Sequence, residues 1–430
     1  MEGSTIRRIR FLAIAVAAAA SLLVAVGCGG PGAAPVATQA PAKAAEPTKA
    51  PAAPAATTPA AAAEPAKDAT PAASQPAASG AAVEVKLGLV TPLSGDVKTF
   101  GESTKNGFDL AVEEANKTGK VKITTVVADD KNDPTEGVNA STKLITQDLV
   151  NGLIGSVSSK VSIPISEVAQ SNKVVMISPT STNPKVTVDG SRKDYVFRAC
   201  FIDPFQGTVM AKFALNTLKA KTAAVMYDKG NDYTVGLAEF FKESFEKGGG
   251  QVVSMDSYSK DDVDFSAVLT KIASSNPDFL FLPDYYNKVN LIAKQAREKG
   301  VKAVFGGGDG WDSADLDVKA VDGGYFSNHY SPDATSEEVK SWVTKYREKY
   351  NTVPDALATL AYDATRLMTE AIIKAGSNDP SKIRDAMATI EGFKAVSGSI
   401  SFDKDGNPVK SAVVIQVVDG KQKYVETVNP

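Results

Sequence analysis

Two short apolar runs in this chain end in clusters of hydroxyls. "LIGSVSSKVSIP" (153–164) carries Ser156, Ser158 and Ser159, and "VVMISPTSTNP" (174–184) carries Ser178, Thr180, Ser181 and Thr182. Ser158 or Ser159 stands where a helix N-cap belongs, with Pro164 in or near the first turn. A helix N-terminus offers unpaired N–H groups and partial positive charge. Beside one, Ser159 and Thr182 make a site for a small anion such as a carboxylate, and Lys160 adds charge. A third loop, "FGGGDGWDS" (305–313), holds Asp309 between glycines, which let backbone approach a ligand closely. A carboxylate so placed binds a cation such as an ammonium. Anion donors on one edge and Asp309 on the other suit a zwitterion, the form of a free amino acid. Either charge buried alone would cost several kcal/mol, so each must be answered separately, and charge-assisted hydrogen bonds return about 1.5–3 kcal/mol apiece. Phe100, Tyr233, Tyr285 and Trp311 are available to surround the side chain.

These loops need a scaffold that brings them to one place. From Val83 onward β-runs alternate with amphipathic helices: 83–90, 121–128, 151–156, 174–178 and 195–201, with helices near 102–117, 134–149 and 162–171. After about residue 202 the pattern restarts, with helices near 205–219, 233–247, 264–274 and 288–299 between "TAAVMY", "GQVVSMDSY", "DFLFLP" and "VKAVFGG". Longer helices follow at 336–350 and 355–376, then Asp- and Gly-rich turns between β-runs. Strand–helix–strand repetition means parallel sheets covered on both faces. The length and the restart divide the chain into two doubly wound α/β lobes. "GLVTPLSGDVKTFGES" and "AVMYDKGNDYTVGLAE" open the two sets in parallel fashion. In open α/β sheets ligands bind beyond the carboxyl ends of the strands, so two such edges facing each other would form a cleft.

The remaining composition excludes more than it adds. A net charge of −3 over 430 residues gives no basic excess for nucleic acid. One histidine (His329) and two cysteines (Cys28, Cys200) exclude most metal sites and most nucleophile–histidine machinery. No metal, no cofactor and no enzymatic activity are expected. "GGGDG" lacks the Gly-Lys-Ser/Thr ending of a P-loop, and "DKDGNP" (403–408) is a tight β-turn rather than half a calcium loop. His329 reads as a lobe-crossover residue and Cys200 as a buried thiol. At the N-terminus, Arg7, Arg8 and Arg10 precede the apolar run 11–26, shorter than the roughly 20 residues of a bilayer span. Residues 1–27 read as a signal peptide. "AVGC" resembles a bacterial lipobox, with Cys28 as the lipidated residue. Residues 28–82, almost wholly Ala, Pro, Gly and Thr, form an expected disordered tether.

From Val83 to the C-terminus the chain resembles the substrate-binding proteins of branched-chain amino acid ABC transporters, the Leu/Ile/Val-binding, type I periplasmic family. The landmarks are "GLVTPLSGDVKTFGES", "ADDKNDP", "MISPTSTNP", "YVFRAC", "MYDKGNDYTVGLAEFFKESFEKGGG", "QAREKGVKAVFGGGDG", "AYDATRLMTEAI" and "VSGSISFDKDGNP". The resemblance implies two lobes joined by a three-crossover hinge, lobe 1 being 83–202 with 331–395 and lobe 2 being 203–330 with 396–430. It implies carboxylate binding at Ser159 and Thr182, an ammonium held by the Thr180 carbonyl and Asp309, and ligand packing on Phe100, Tyr233 and Tyr285. A disulfide of some members falls on Asn132 and Ser158. Lys160, where relatives carry small or polar residues, argues against a strictly aliphatic specificity. The implied partners are an amino acid and the transmembrane subunits of an ABC permease. The implied protein is a monomer outside the cytoplasm, touching the membrane through its lipid anchor only. A sensory receptor for an amino acid, amide or small carboxylate is the alternative.

Overall fold

The computed structural model describes residues 82–430; the expected signal segment, Cys28 and the tether up to Ala81 lie outside the described residues. The first lobe is built from β1 (Val83–Thr91), α1 (Lys98–Lys117), β2 (Val121–Asp129), α2 (Pro134–Thr146), β3 (Gly152–Gly155), α3 (Ser159–Ser171), β4 (Val175–Ser178), the small pair β5 (Val188–Asp189) and β6 (Ser191–Arg192), and β7 (Val196–Arg198). Its sheet is parallel throughout, in the order β2-β1-β3-β4-β7. The runs "GLIG" and "VMIS" are buried along their whole length because helices cover both faces of the sheet. Asp133 starts α2 by accepting from the amides of Thr135 and Glu136, with Pro134 in the first turn.

The chain crosses at 199–202 into the second lobe: α4 (Asp203–Asn216), β8 (Thr222–Asp228), α5 (Asp232–Lys247), β9 (Gln251–Tyr258), α6 (Ser266–Ser275), β10 (Phe279–Phe281), α7 (Tyr286–Glu298), β11 (Val304–Gly307) and β12 (Tyr325–Asn328). It returns to the first lobe for α8 (Glu337–Tyr350), α9 (Ala356–Ala375), α10 (Pro380–Ala388) and the hairpin β13 (Phe393–Ala395)–β14 (Gly398–Ile400). It then ends in β15 (Ala412–Val418) and β16 (Lys421–Val428), the antiparallel edge of a seven-stranded sheet ordered β16-β15-β12-β11-β10-β8-β9. The fold is α/β, two doubly wound lobes joined by three passages. Leu87, Ile154, Val175, Phe108, Leu367 and Met368 centre the first lobe's core. Phe241, Phe279 and Phe281 stack at the centre of the second, with 4.1 Å between the rings of Phe241 and Phe281. No helix of the described residues is long and apolar enough to cross a membrane.

The structure departs from the sequence reading in places. Ile400 is fully buried in the first lobe's core, so the third passage runs through 401–411 and residues 396–400 belong with the first lobe. The short helix α10 goes unforeseen because only Ile383 and Met387 of it are buried, too few to mark an apolar stripe. Pro164 is the sixth residue of α3, just past its first turn.

Candidate ligand-binding site

The carboxyl ends of both sheets face each other across a small cavity. All seven residues expected at the site, Phe100, Ser159, Thr180, Thr182, Tyr233, Tyr285 and Asp309, line it. Val157, Gly310 and Leu357 complete the wall.

The expected anion end lies at the start of α3. Ser158 is the N-cap residue, but its hydroxyl caps nothing; it donates to Asn132 Oδ1 at 2.7 Å. That hydrogen bond joins the two positions where the resemblance places a disulfide. The first amides of α3 have no partner within their helix. Ser159 Oγ accepts from the Asn183 amide at 3.2 Å, which leaves its own proton free to donate. The loop that carries Thr182 is held from beneath by the buried Arg198, which donates to Ser181 O (2.7 Å), Asn183 O (3.0 Å) and Thr187 Oγ1 (3.1 Å). Asp203, in the first turn of α4, donates its amide to Thr182 O at 3.0 Å. Its carboxyl is fully buried against the Thr182 side chain; burial pushes it well above the usual carboxylate range, and the Thr182 hydroxyl opposes that shift. Thr180 spends its hydroxyl on Val157 O at 2.9 Å, leaving its carbonyl as its polar group.

The expected cation end is Asp309, on a short 3₁₀ turn after β11. Its Oδ1 accepts from Gln206 Nε2 at 2.8 Å and from the Tyr233 hydroxyl at 2.9 Å, and its Oδ2 lies 2.9 Å from His329 Nε2. The flanking glycines serve this network. A Cβ on Gly308 would lie 2.6 Å from the Tyr233 hydroxyl and 3.0 Å from Gln206 Nε2, and one on Gly310 would lie 2.8 Å from Asp284 O. Close approach is therefore required by protein groups. Burial raises the Tyr233 hydroxyl well above its usual range, so it stays a donor, and burial lowers His329 toward the neutral imidazole. Gln206 and His329 went unrecognised in the sequence. His329 does begin the second passage, as expected, but it also reaches back to Asp309.

Two further expectations need correction. Trp311 does not surround a ligand; it is wholly buried and its indole N–H donates to Leu282 O at 3.0 Å. Lys160 does not line the cavity; burial lowers its ammonium, and the second lobe's Lys260, Asp228 and Asp284 are among the charges around it. The remaining wall is apolar. Tyr285 stacks on Tyr233 at 5.3 Å and meets Phe100 edge-on at 5.7 Å. Phe100, Val157 and Leu357, all from the first lobe, join the second lobe's apolar cluster. Thr99 donates to Asp315 at 2.5 Å and Asn183 Nδ2 to Asp232 O at 2.8 Å across the lobes, which are closed on one another.

A sequence profile of the periplasmic binding proteins matches residues 84–422, the whole two-lobed body. The chain belongs to the periplasmic binding protein family. The binding protein is 32% identical over 337 residues to Leu/Ile/Val-binding protein homolog 3 of Brucella melitensis, covering 77% of this chain and 90% of that one. It is 33% identical over 346 residues to Leu/Ile/Val-binding protein BraC3 of Rhizobium johnstonii, covering 79% and 93%. Among solved structures it resembles the leucine-binding protein LivK of Thermotoga maritima, with a TM-score of 0.76 and 38% identity over 80% of this chain and 99% of that one. A solute-binding protein of R. palustris in complex with benzoate shares the fold at a TM-score of 0.73 and 25% identity, over 81% of this chain and 97% of that one.

One acid of the binding protein near the cleft has a consequence for stability. Asp284 accepts from the Tyr258 hydroxyl and, at 2.7 Å, from the Tyr285 amide, yet burial raises its carboxyl to about 6. A carboxyl whose pKa rises on folding binds its proton more tightly in the native state. Its stabilising contribution is complete below the unfolded value near 4 and is lost as pH rises through about 6. Asp284→Asn mimics the neutral acid, with Tyr258 turning its hydroxyl round to accept. Thermal unfolding followed from pH 4 to 8 should show the variant melting about 2–4 °C above wild type at pH 8 and level with it at pH 4. A variant that melts lower at pH 8 would contradict this.

Proposed function

We propose that this chain is an extracytoplasmic receptor that captures a branched-chain or similar amino acid between its lobes and delivers it to an ABC permease. The observation that carries the reading is the pairing, across one small apolar cavity, of unpaired amides and the Ser159 and Thr182 hydroxyls with the carboxylate of Asp309. Donors at one end and a carboxylate at the other match the two charges of a free amino acid, and Val157, Leu357 and Phe100 suit an aliphatic side chain between them. The Leu/Ile/Val-binding names of the relatives support the same reading. So does the pneumococcal LivJ in complex with isoleucine, 32% identical with a TM-score of 0.75 over 81% of this chain and 100% of that one. Ligand contact by the seven residues named from sequence, the lipid anchor at Cys28 and a monomeric state belong to this proposal. So does the lack of enzymatic activity, since the one histidine is engaged with Asp309 and leaves Ser159 without a base.

A second reading, a receptor for a small carboxylate without an amine, draws on the benzoate-bound relative, but it gives Asp309 no task. Thermal unfolding of the purified chain with L-leucine, L-isoleucine, L-valine, L-glutamate and benzoate separates the two. A ligand at 100 times its dissociation constant adds about 2.7 kcal/mol. The three aliphatic amino acids should raise the midpoint and benzoate should not. A shift with benzoate alone would overturn the amino-acid reading.

A further inference from the structure

We propose that His329, acting with Gln206, is a positioning residue that aims the last free acceptor direction of Asp309 at the ligand's ammonium. The proposal rests on the amino-acid reading above and concerns how that site selects a charged amine. An ionised carboxylate offers about four acceptor directions. On Asp309, Gln206 and Tyr233 take the two on Oδ1, and His329 takes one on Oδ2. One direction remains, on a residue that lines the cavity.

Rotation about the last side-chain bond of an aspartate is soft, so without a contact on Oδ2 the carboxylate could swing about the pair of bonds on Oδ1. His329 removes that freedom. Its ring is 3% exposed and stacks on Phe201 at 3.8 Å with 28° between the planes, so it cannot turn away. Its Nδ1 has no partner. The tautomer that satisfies the contact places the proton on Nε2, and the imidazolium would bury a second N–H with no acceptor. The charged groups acting on the ring are Asp309 and, from the third passage, Lys410, whose positive charge also opposes protonation. All three donors to Asp309 are then neutral, and no Lys or Arg of the described residues pairs with it. Three neutral donors orient the carboxylate without cancelling its charge, so the countercharge has to come from the ligand.

The test compares L-leucine with 4-methylpentanoate, the same molecule without its amine, by calorimetry on the full chain. His329→Phe keeps the ring stack on Phe201 and removes the donor; His329→Gln keeps a donor. The expected result for His329→Phe is a loss of at least tenfold in leucine affinity with 4-methylpentanoate affinity unchanged within twofold. His329→Gln should hold both within about threefold, and Gln206→Met should repeat the selective loss should His329→Phe fail to fold. Equal losses for the two ligands would assign His329 a general structural role and overturn the proposal, as would leucine binding at wild-type strength in both donor-less variants. A wild-type chain that binds none of leucine, isoleucine and valine would overturn the functional reading and this assignment with it.

Discussion

Asp309→Asn should raise the dissociation constant for L-leucine at least about 100-fold, about 2.8 kcal/mol, while unfolding of the free protein stays within a few degrees of wild type. The fold survives because the new amide has a workable orientation. Its oxygen can keep Gln206 and Tyr233, and its nitrogen can donate to His329 once that ring moves its proton to Nδ1, where the N–H lies buried without an acceptor at a cost of about 1–3 kcal/mol. The same orientation turns an N–H toward the ligand's ammonium, so a charge-assisted bond becomes an opposition of donors. The opposite orientation would set two donors against the amide nitrogen. Removing one partner of a buried charge pair typically costs about 2–5 kcal/mol, which brackets the expected loss. Isothermal calorimetry checks it, and a leucine affinity within threefold of wild type would remove Asp309 from the ligand's surroundings.

Much of this site was legible because its signals are local. Hydroxyls clustered where an apolar run stops, and an acid set among glycines, can be read from a few consecutive residues. Ser159, Thr182 and Asp309 each carry such a pattern, and the structure brings all three to one cavity. What escaped was placed by tertiary packing. Gln206 sits one turn into α4 like any inward-facing helical position and gains its role only because Asp309, 103 residues on, folds against it. Leu357 reads as core and is core, yet it also walls the cavity. Trp311 was misjudged for a physical reason. A large ring in a glycine-rich loop suggests a ligand platform, but its indole N–H found a carbonyl on the neighbouring strand end and the ring packed inward on Phe326. The strand alternation fixed two lobes and nearly every helix. It could not say which lobe receives β14, because a three-residue strand carries no preference for one sheet over another.

Ser159→Ala combined with Thr182→Val should weaken L-leucine binding at least about 100-fold while barely changing the binding of L-leucinamide. Each hydroxyl offers a charge-assisted hydrogen bond to a carboxylate, about 1.5–3 kcal/mol before any cooperativity. The two residues stand on neighbouring strand ends joined through the Asn183 amide, which donates to Ser159 Oγ, so their losses should not add independently. Ser159→Ala also leaves that amide without its acceptor. The residual affinity would come from the free amides and partial charge at the start of α3, about 0.3–1 kcal/mol, too little to replace two hydroxyls. Leucinamide is the discriminating probe because it keeps the ammonium and the side chain and lacks the negative charge. Wild type should bind it weakly and the double variant hardly less well, since the lost donors had little charge to answer. If the double variant lost leucine and leucinamide in equal proportion, the two hydroxyls would be shaping the cleft rather than holding a carboxylate, and the orientation of the ligand between the α3 terminus and Asp309 would have to be reversed or abandoned.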